Sequence, residues 1–550
     1  MRATDRSTTS SPQHTGNCVN KPSVSSYLCV SPRPLRLCVK ISVWCRLTSF
    51  PEPGTTTAKV FLIPESSYAQ WRLHSGSAFV FHDDGSIPPE YLLQAVWQHQ
   101  RLQRDNLSLA DGRRIRILHP GFLNREGGPD FKGAVIQIEN AAPITGDIEV
   151  DLQASGWKAH GHDRNPAFKN VVLHVIWGTP DSAPGSPIAL SVSSKLDAPL
   201  GELAYWITSE ATQALPELFR GKCSAPLRDL PEARVTELLL EAAEIRFRSK
   251  AVQLQARARQ AGWEQALWEG IFRALGYKHN TWPMQCLAEH RGEWMERRID
   301  VPRLQARLFG LSGLLPAELT RAQRSADDYL RSSWDIWWRE RNEFESWVLP
   351  KNLWRFHGQR PANHPQRRLA LAAHWLALGD LQERLEKWCA APIPGRKLAS
   401  SLLEALQIGP DDFWQWHWTL RSARMTKPQP LLGITRVTDL AVNVILPWLW
   451  VRAVEGRNTS LAEMIRARFY AWPPAEDNSI LRLGCQRLLG NRSARNLETA
   501  AKQQGLIQIT RDFCDRSDAT CENCRFPELV RSAAGRSKLM TARESRTMPP

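Results

Sequence analysis

Long apolar runs are what this chain of 550 residues most plainly lacks. The longest, "DLAVNVILPWLWV", has core-helix length and is interrupted by Pro447, whereas a bilayer span needs about 20 predominantly apolar residues. The sequence therefore predicts no membrane partner. Nor is a secretory leader expected, since "MRATDRSTTSSPQHTGNCVN" has neither an apolar core nor small residues behind it. The eleven cysteines form no regular framework, which argues against a disulfide-stapled scaffold and leaves a reducing cytoplasm as the expected compartment. No Met separates Met1 from Met284, and Cys18, Cys29, Cys38 and Cys45 sit among Ser, Thr and Pro without periodicity. Residues 1–75 accordingly read as a disordered or spurious extension, translated from upstream of the true start.

Charge of one sign is scarcer in the body than the total of +15 suggests. Residues 1–60 hold eight Lys/Arg against two acids and residues 525–550 hold six against two, which leaves an excess of only five for the rest. A mildly basic body permits a nucleic-acid partner without requiring one. At 42% apolar the chain can build sizeable cores and two to four domains.

What is present begins near residue 88. "PPEYLLQAVWQHQRL" puts Leu92, Leu93, Val96 and Trp97 on one helical face behind Pro88 and Pro89. "RRIRILHPGFL", "KGAVIQI" and "GDIEVDLQ" alternate like strands. A polar segment, "SGWKAHGHDRNPAFKN", precedes "NVVLHVIWG", which is apolar enough for a buried strand. Past residue 200 the periodicity is helical, with helices expected around 302–314, 318–345, 366–390, 397–406, 411–424, 437–455, 460–470 and 493–513. Trp334, Trp337, Trp338, Trp414, Trp416 and Trp418 read as helix-packing core rather than as a stacking surface for bases or sugars. The expected class is α+β. A mixed α/β domain at 76–200 is followed by an all-α domain at 201–512, a cysteine loop at 513–528 and a disordered basic tail at 529–550.

Residues 124–153, "NREGGPDFKGAVIQIENAAPITGDIEVDLQ", hold Asp130 after a turn and then Glu149, Asp151 and Gln153 at strand spacing, so the last three project from one face. Acids from neighbouring strands can hold Mg²⁺ or Mn²⁺ with water left on the ion, as phosphodiester hydrolysis requires. Carboxylates on a half-buried strand are also commonly its solvent face, and Asp after Gly-Pro a turn residue. The histidines tilt the balance: His119, His160, His162 and His174 fall within sixty residues, and imidazole ligates metals and moves protons near neutral pH.

The element order resembles the restriction-endonuclease-like nuclease core, in which a helix and three strands carry an acid and then a Glu-x-Lys before a helix and a further strand. The resemblance implies Asp130 and Glu149 as metal-holding acids and Glu90 as the helix carboxylate; a nuclease site built on them would place His160 or His162 near the phosphate or water. Where that motif has Lys, this chain has Asp151, with Gln153 or Lys158 as substitutes. At the other end, "GLIQITRDFCDRSDATCENCRFPELV" spaces Cys514, Cys521 and Cys524 as C-x6-C-x2-C, a spacing that points two sulfurs at one ion. It resembles the iron-sulfur loop of endonuclease III-type glycosylases, with Val530 where a fourth cysteine belongs. A zinc site or an iron-sulfur cluster is therefore expected, with a vestigial metal-free knot as the alternative.

Ordered blocks across residues 88–528, among them "ILHPGFLNREGGPDF", "RALGYKHNTWPMQCLA" and "RPANHPQRRLALAA", resemble the bacterial family catalogued as domain of unknown function 2851. The sequence leads to a metal-dependent, nuclease-like protein acting on DNA, with a non-catalytic nucleic-acid-binding or scaffold protein on a degenerate nuclease core as the alternative.

Overall fold

The computed structural model describes residues 66–74, 87–124, 127–180, 187–207, 225–325, 328–490, 497–514, 524 and 526–531. The alternating segments form strands β1 (Ile115–His119), β2 (Phe122–Leu123), β3 (Phe131–Ile138) and β4 (Ile144–Asp151), and the apolar run forms β5 (Val171–Ile176). A short β6 (Ala189–Ser191) completes the sheet. The order is β1-β3-β4-β5-β6, with β2 on β3. Pairing is antiparallel through β1, β3 and β4 and parallel from β4 through β5 to β6. The change of sense needs a crossover between β4 and β5, which the polar histidine-rich segment supplies.

Helix α1 (Ser67–His74) is followed by α2 (Glu90–His99), the crossover helix α3 (Gly156–Ala159), α4 (Leu200–Trp206), α5 (Glu232–Ala261), α6 (Trp263–Leu275) and α7 (Thr281–Glu289). Leu93, Val96 and Trp97 of α2 share a core with Ala134, Ile136, Ile148, Val150, Leu173 and Val175. Strand alternation then sends Leu118 and Val135 to the opposite face, where they join the helical core with Leu287 of α7. Arg104 fastens the two parts, with Nε 2.6 Å from Glu289 and one terminal nitrogen donating to the Ile117 carbonyl at 2.8 Å.

The helical part departs from expectation in several places, among them the helix expected over 318–345, of which Arg321–Ser325 and Tyr329–Glu340 are formed. The helix expected over 366–390 is two, Pro365–Leu378 and Leu381–Ala390, because Gly379 takes φ +68 and ends the first. That expected over 411–424 is a series of turns, held where Asp411 Oδ1 accepts from the Phe413 and Trp414 amides. The continuous helical run Ile434–Glu455 is long and apolar enough to cross a membrane, although its sequence suggested otherwise; 78% of its most apolar window is buried in the protein. Trp337 and Trp414 are buried as expected, whereas Trp338 is exposed and stacks on Trp334.

The end assignments also change. Helix α1 lies inside the stretch expected to be disordered, yet Tyr68 and Arg72 are fully buried, and both bond Asp512, at 2.8 and 3.0 Å. Residues 526–531 are helical, with Phe526 and Val530 buried, so the tail begins later than 529. The rest of both end segments lies outside the described residues.

Glycine sets one close approach. A Cβ at Gly505, on the helix Ala500–Ile509, would lie 1.9 Å from the Leu239 carbonyl oxygen of α5. Gly505→Ala should therefore destabilise the fold by about 1–3 kcal/mol through overpacking. Gly292→Ala, at an exposed helical position with nothing within 4 Å, should be neutral or slightly stabilising. Urea unfolding of the two variants checks this, and equal midpoints would contradict it.

Candidate metal centre

The site starts from an interruption in a strand pair. Gly133 takes φ +69, a conformation glycine adopts without a Cβ penalty, and the β3–β4 register shifts between Phe131 and Ala134. Just before β3, Asp130 replaces a ladder partner: its Oδ2 accepts from the Val150 amide at 3.1 Å, and its own amide donates to Glu149 Oε2 at 3.1 Å. These reciprocal bonds hold two carboxylates side by side. Gln94 of α2 donates to Asp130 Oδ1 at 3.0 Å and to Glu90 Oε1 at 3.3 Å.

Asp151 ends β4 two residues on. A Cβ at Gly156 would lie 2.9 Å from its carboxylate, so only glycine there lets the crossover turn close over that group. His174 on β5 is the register partner of Glu149, and its Nε2 lies 2.8 Å from Asp151 Oδ2. From the crossover come His160, with Nδ1 3.3 Å from Asp151 Oδ1, and His162, with Nδ1 3.5 Å from Glu149 Oε1. The His162 ring stacks on Phe168 at 4.0 Å and meets the edge of Trp157 at 5.4 Å.

The electrostatics are those of an uncompensated anionic cluster. Among the described residues no lysine or arginine forms a salt bridge with Asp130, Glu149 or Asp151. Burial pushes Asp130 up to about 6, helped by Glu90 and Asp151, and Glu149 up to about 8, helped by Asp130, Asp151 and Glu90. Glu90 is raised as well, by burial and then by Asp151. Burial lowers His162, which leaves its imidazole neutral near pH 7 with a lone pair to give.

The donor set fits a divalent cation. One ligand atom each from Asp151, His160 and His162 lies within 4.8 Å of the others, and His162 Nδ1 is buried without a hydrogen-bond partner. A buried polar atom left unpaired is unfavourable, and a metal ion would satisfy it while neutralising the acids. Asp130 and Glu149 stand beside this trio, and Glu90 completes the acidic rim.

Of the residues expected from sequence, Glu90, Asp130, Glu149, Asp151, His160 and His162 come together. Gln153 does not. Strand β4 ends at Asp151, so the alternation stops short of it, and the Gln153 amide lies against Gly178. His119 is buried elsewhere, accepting from the Gly121 amide. Gln94 was not expected at the site, and His174, counted among the nearby histidines, was given no role there. Helical spacing from Glu90 points to the first, and the parallel register opposite Glu149 to the second.

At the chain's other end Cys514 is buried, and the Cys524 thiol lies 3.9 Å from the carbonyl oxygen of Phe513, its neighbour. Cys521 lies outside the described residues, so the three-sulfur zinc or iron-sulfur site is not drawn from these positions.

Fold and site together define an α+β protein whose mixed sheet carries a carboxylate–histidine cluster at the β4 end, followed by a large helical region. The family model described as Protein of unknown function (DUF2851) matches residues 90–479. The chain belongs to that family. No curated protein and no solved structure matches it.

Linkage gives the site a signature. Asp130 and Glu149 hold protons in the metal-free fold more tightly than at their ordinary values of 3.8 and 4.5. The stability they contribute is complete below those values and is lost as pH rises through about 6 and about 8. In EDTA, the Tm of the wild type relative to Glu149→Gln should fall between pH 5 and 8.5. Mn²⁺ at a hundredfold excess over its dissociation constant should restore about 2.7 kcal/mol at pH 8.5. An equal metal response in Glu149→Gln would contradict the assignment.

Proposed function

We propose that this protein is a metal-dependent phosphodiesterase of the nuclease type acting on DNA. The observation that carries the reading is the convergence of Asp130, Glu149 and Asp151 with His160 and His162 on a sheet end where, among the described residues, no lysine or arginine forms a salt bridge with the three acids. Supporting it, helix α2, the antiparallel strands β1, β3 and β4, the crossover helix α3 and the parallel strand β5 follow one another as in the restriction-endonuclease-like core, with Asp130 before one strand and Glu149 on the next.

A divalent ion bound here would supply a Lewis acid for a phosphoryl oxygen and lower the pKa of a water. Asp151, His160 and His162 would hold it, with Asp130 and Glu149 beside them. His174 fixes the Asp151 carboxylate through the 2.8 Å contact and so acts as a positioning residue. His160, whose side chain is 54% exposed, would be the ligand on the solvent side, so that a water could reach the ion beside it.

One observation favours a second reading. The position taken by lysine in the nuclease motif is Asp151, so the cation that steadies the attacked phosphate must come from elsewhere. A non-catalytic nucleic-acid-binding or scaffold protein on the same core fits that substitution.

Hydrolysis of labelled single- and double-stranded DNA in Mn²⁺ separates the two. The wild type should cleave, and Glu149→Gln and Asp151→Asn should each lose at least a hundredfold in rate with unchanged circular dichroism. Folded wild-type protein that cleaves no DNA, or variants that cleave like it, would sink the catalytic reading.

A further inference from the structure

A cleft of about 1940 Å³ is lined by α5, α6, the β1–β2 turn and the segments around 355, 436 and 480. Fourteen lysines and arginines but five aspartates and glutamates line it, although the chain outside its ends carries an excess of only five positive charges. The body's basicity is thus gathered on one concave surface while acids are spread over the rest. Such a surface raises the local concentration of polyanions.

Two details make the cleft more than a charged hollow. The first is a pair of buried arginines. Arg368 is 4% exposed and donates to the Leu431 carbonyl at 2.9 Å and to Asn363 Oδ1 at 2.7 Å; Arg436, also buried, donates to the same Asn363 oxygen at 2.9 Å. The Nε atoms of both are buried without a hydrogen-bond partner, and Asp439 is the acid paired with Arg436, at 3.0 Å. Like charges held this close call for a further anion, and phosphate oxygens suit guanidinium forks. Burial and the neighbouring Arg436 and Arg367 charges lower Arg368 to about 9, as expected where an anionic partner is still to be added.

The second detail is a pair of exposed aromatic rings. Tyr277 is 44% exposed and Phe122 45%, and both line the cleft. Tyr277 has φ +53, a backbone state that bulky residues rarely adopt and that recurs at binding sites. Asn280, 1% exposed, holds that turn in place: its amide donates to the Arg355 carbonyl at 2.9 Å and its Oδ1 accepts from the Arg355 amide at 2.8 Å. The Arg355 guanidinium lies over Phe122 at 5.3 Å, and that of Arg436 over Tyr277 at 4.8 Å. Each ring is thus covered on one face by a guanidinium while close to half of it stays exposed, and aromatic surface with arginine charge at hand is what binds unpaired bases and their phosphates.

We propose that this cleft binds a single-stranded nucleic-acid segment, with Tyr277 and Phe122 stacking bases and Arg368 and Arg436 receiving a phosphate. A duplex hides its base faces within the stack and offers these rings nothing. The proposal rests on the nuclease reading for what becomes of the strand, and the geometry connects the two sites. Leu123, at the cleft rim, pairs with Phe131 next to Asp130, and Gln98, also on the rim, is one helical turn from Gln94, which holds Asp130. A strand lying in the cleft is led toward the carboxylates.

Fluorescence anisotropy of labelled 20-nucleotide DNA, 20-nucleotide RNA and a 20-base-pair duplex with the full chain in EDTA tests binding without cleavage. Single strands should bind more tightly than the duplex, with affinity falling steeply as salt rises. Tyr277→Ala should weaken binding about tenfold at unchanged salt dependence. The double variant Lys278→Glu/Arg355→Glu, at two exposed cleft positions, should weaken it more and flatten the salt dependence. All three positions are exposed, so circular dichroism should be unchanged. Duplex binding equal to or tighter than single-strand binding overturns the assignment, as does unaltered affinity in both variants. Strand binding without any cleavage in Mn²⁺ keeps this inference and removes the nuclease reading; cleavage unaffected by these variants does the reverse. The DNA and RNA arms identify which strand the cleft takes.

Discussion

The reciprocal pair of hydrogen bonds between Asp130 and strand β4 is what the site depends on. Asp130 Oδ2 takes the Val150 amide and the Asp130 amide takes Glu149 Oε2, so two acids are pinned together by backbone groups that would otherwise have belonged to a sheet ladder. Side-chain carboxylates held by main chain lose little position when the surroundings change. Burial, with Asp130, Asp151 and Glu90 close by, raises Glu149 to about 8 even though the Asp130 amide pulls it down. A fold that keeps such an arrangement is giving up stability locally, and functional sites are where that is found.

Around this pair the chain divides its work. The core of α2 and the sheet fixes the carboxylates from one side through Ile148 and Val150, and the crossover between β4 and β5 brings the histidines over them from the other. The helical region contributes no ligand to that cluster among the described residues but gathers the basic cleft, and Arg104 joins the two through Glu289 and the Ile117 carbonyl. Anionic cluster and cationic cleft meet where β2 runs beside β3. Under the proposed function a polyanion would suit such adjacency, one region attracting it and the other able to hold a cation for its phosphates.

Much of this was legible in the sequence because periodicity is local. Strict alternation marked β3 and β4, helical periodicity marked the region past residue 200, and Asp130 stood out behind its turn, Glu149 and Asp151 by their strand spacing. What was not legible depends on where elements stop and what they meet. Strand β4 ends at Asp151, so the alternation reaching for Gln153 failed. Gly379 cut one expected helix into two, and Asp411 capped turns where helical spacing had suggested a helix. Tyr68 and Arg72 carry no sign of burial in their own segment, because the partner that buries them, Asp512, lies more than four hundred residues away. The basic cleft was invisible for the same reason: its arginines are scattered between 101 and 511, and only the fold brings them together.

Whether the cluster binds a divalent cation through both carboxylate and imidazole is the central claim. Electron spin-echo envelope modulation of the protein loaded with one equivalent of Mn²⁺ tests it directly, since ¹⁴N coupling reports imidazole bound to the ion. The account predicts nitrogen modulation from His160 and His162, with the coupling reduced but not abolished in His162→Ala. Mn²⁺ bound with proton modulation from water alone, or nitrogen coupling unchanged in that variant, would contradict it.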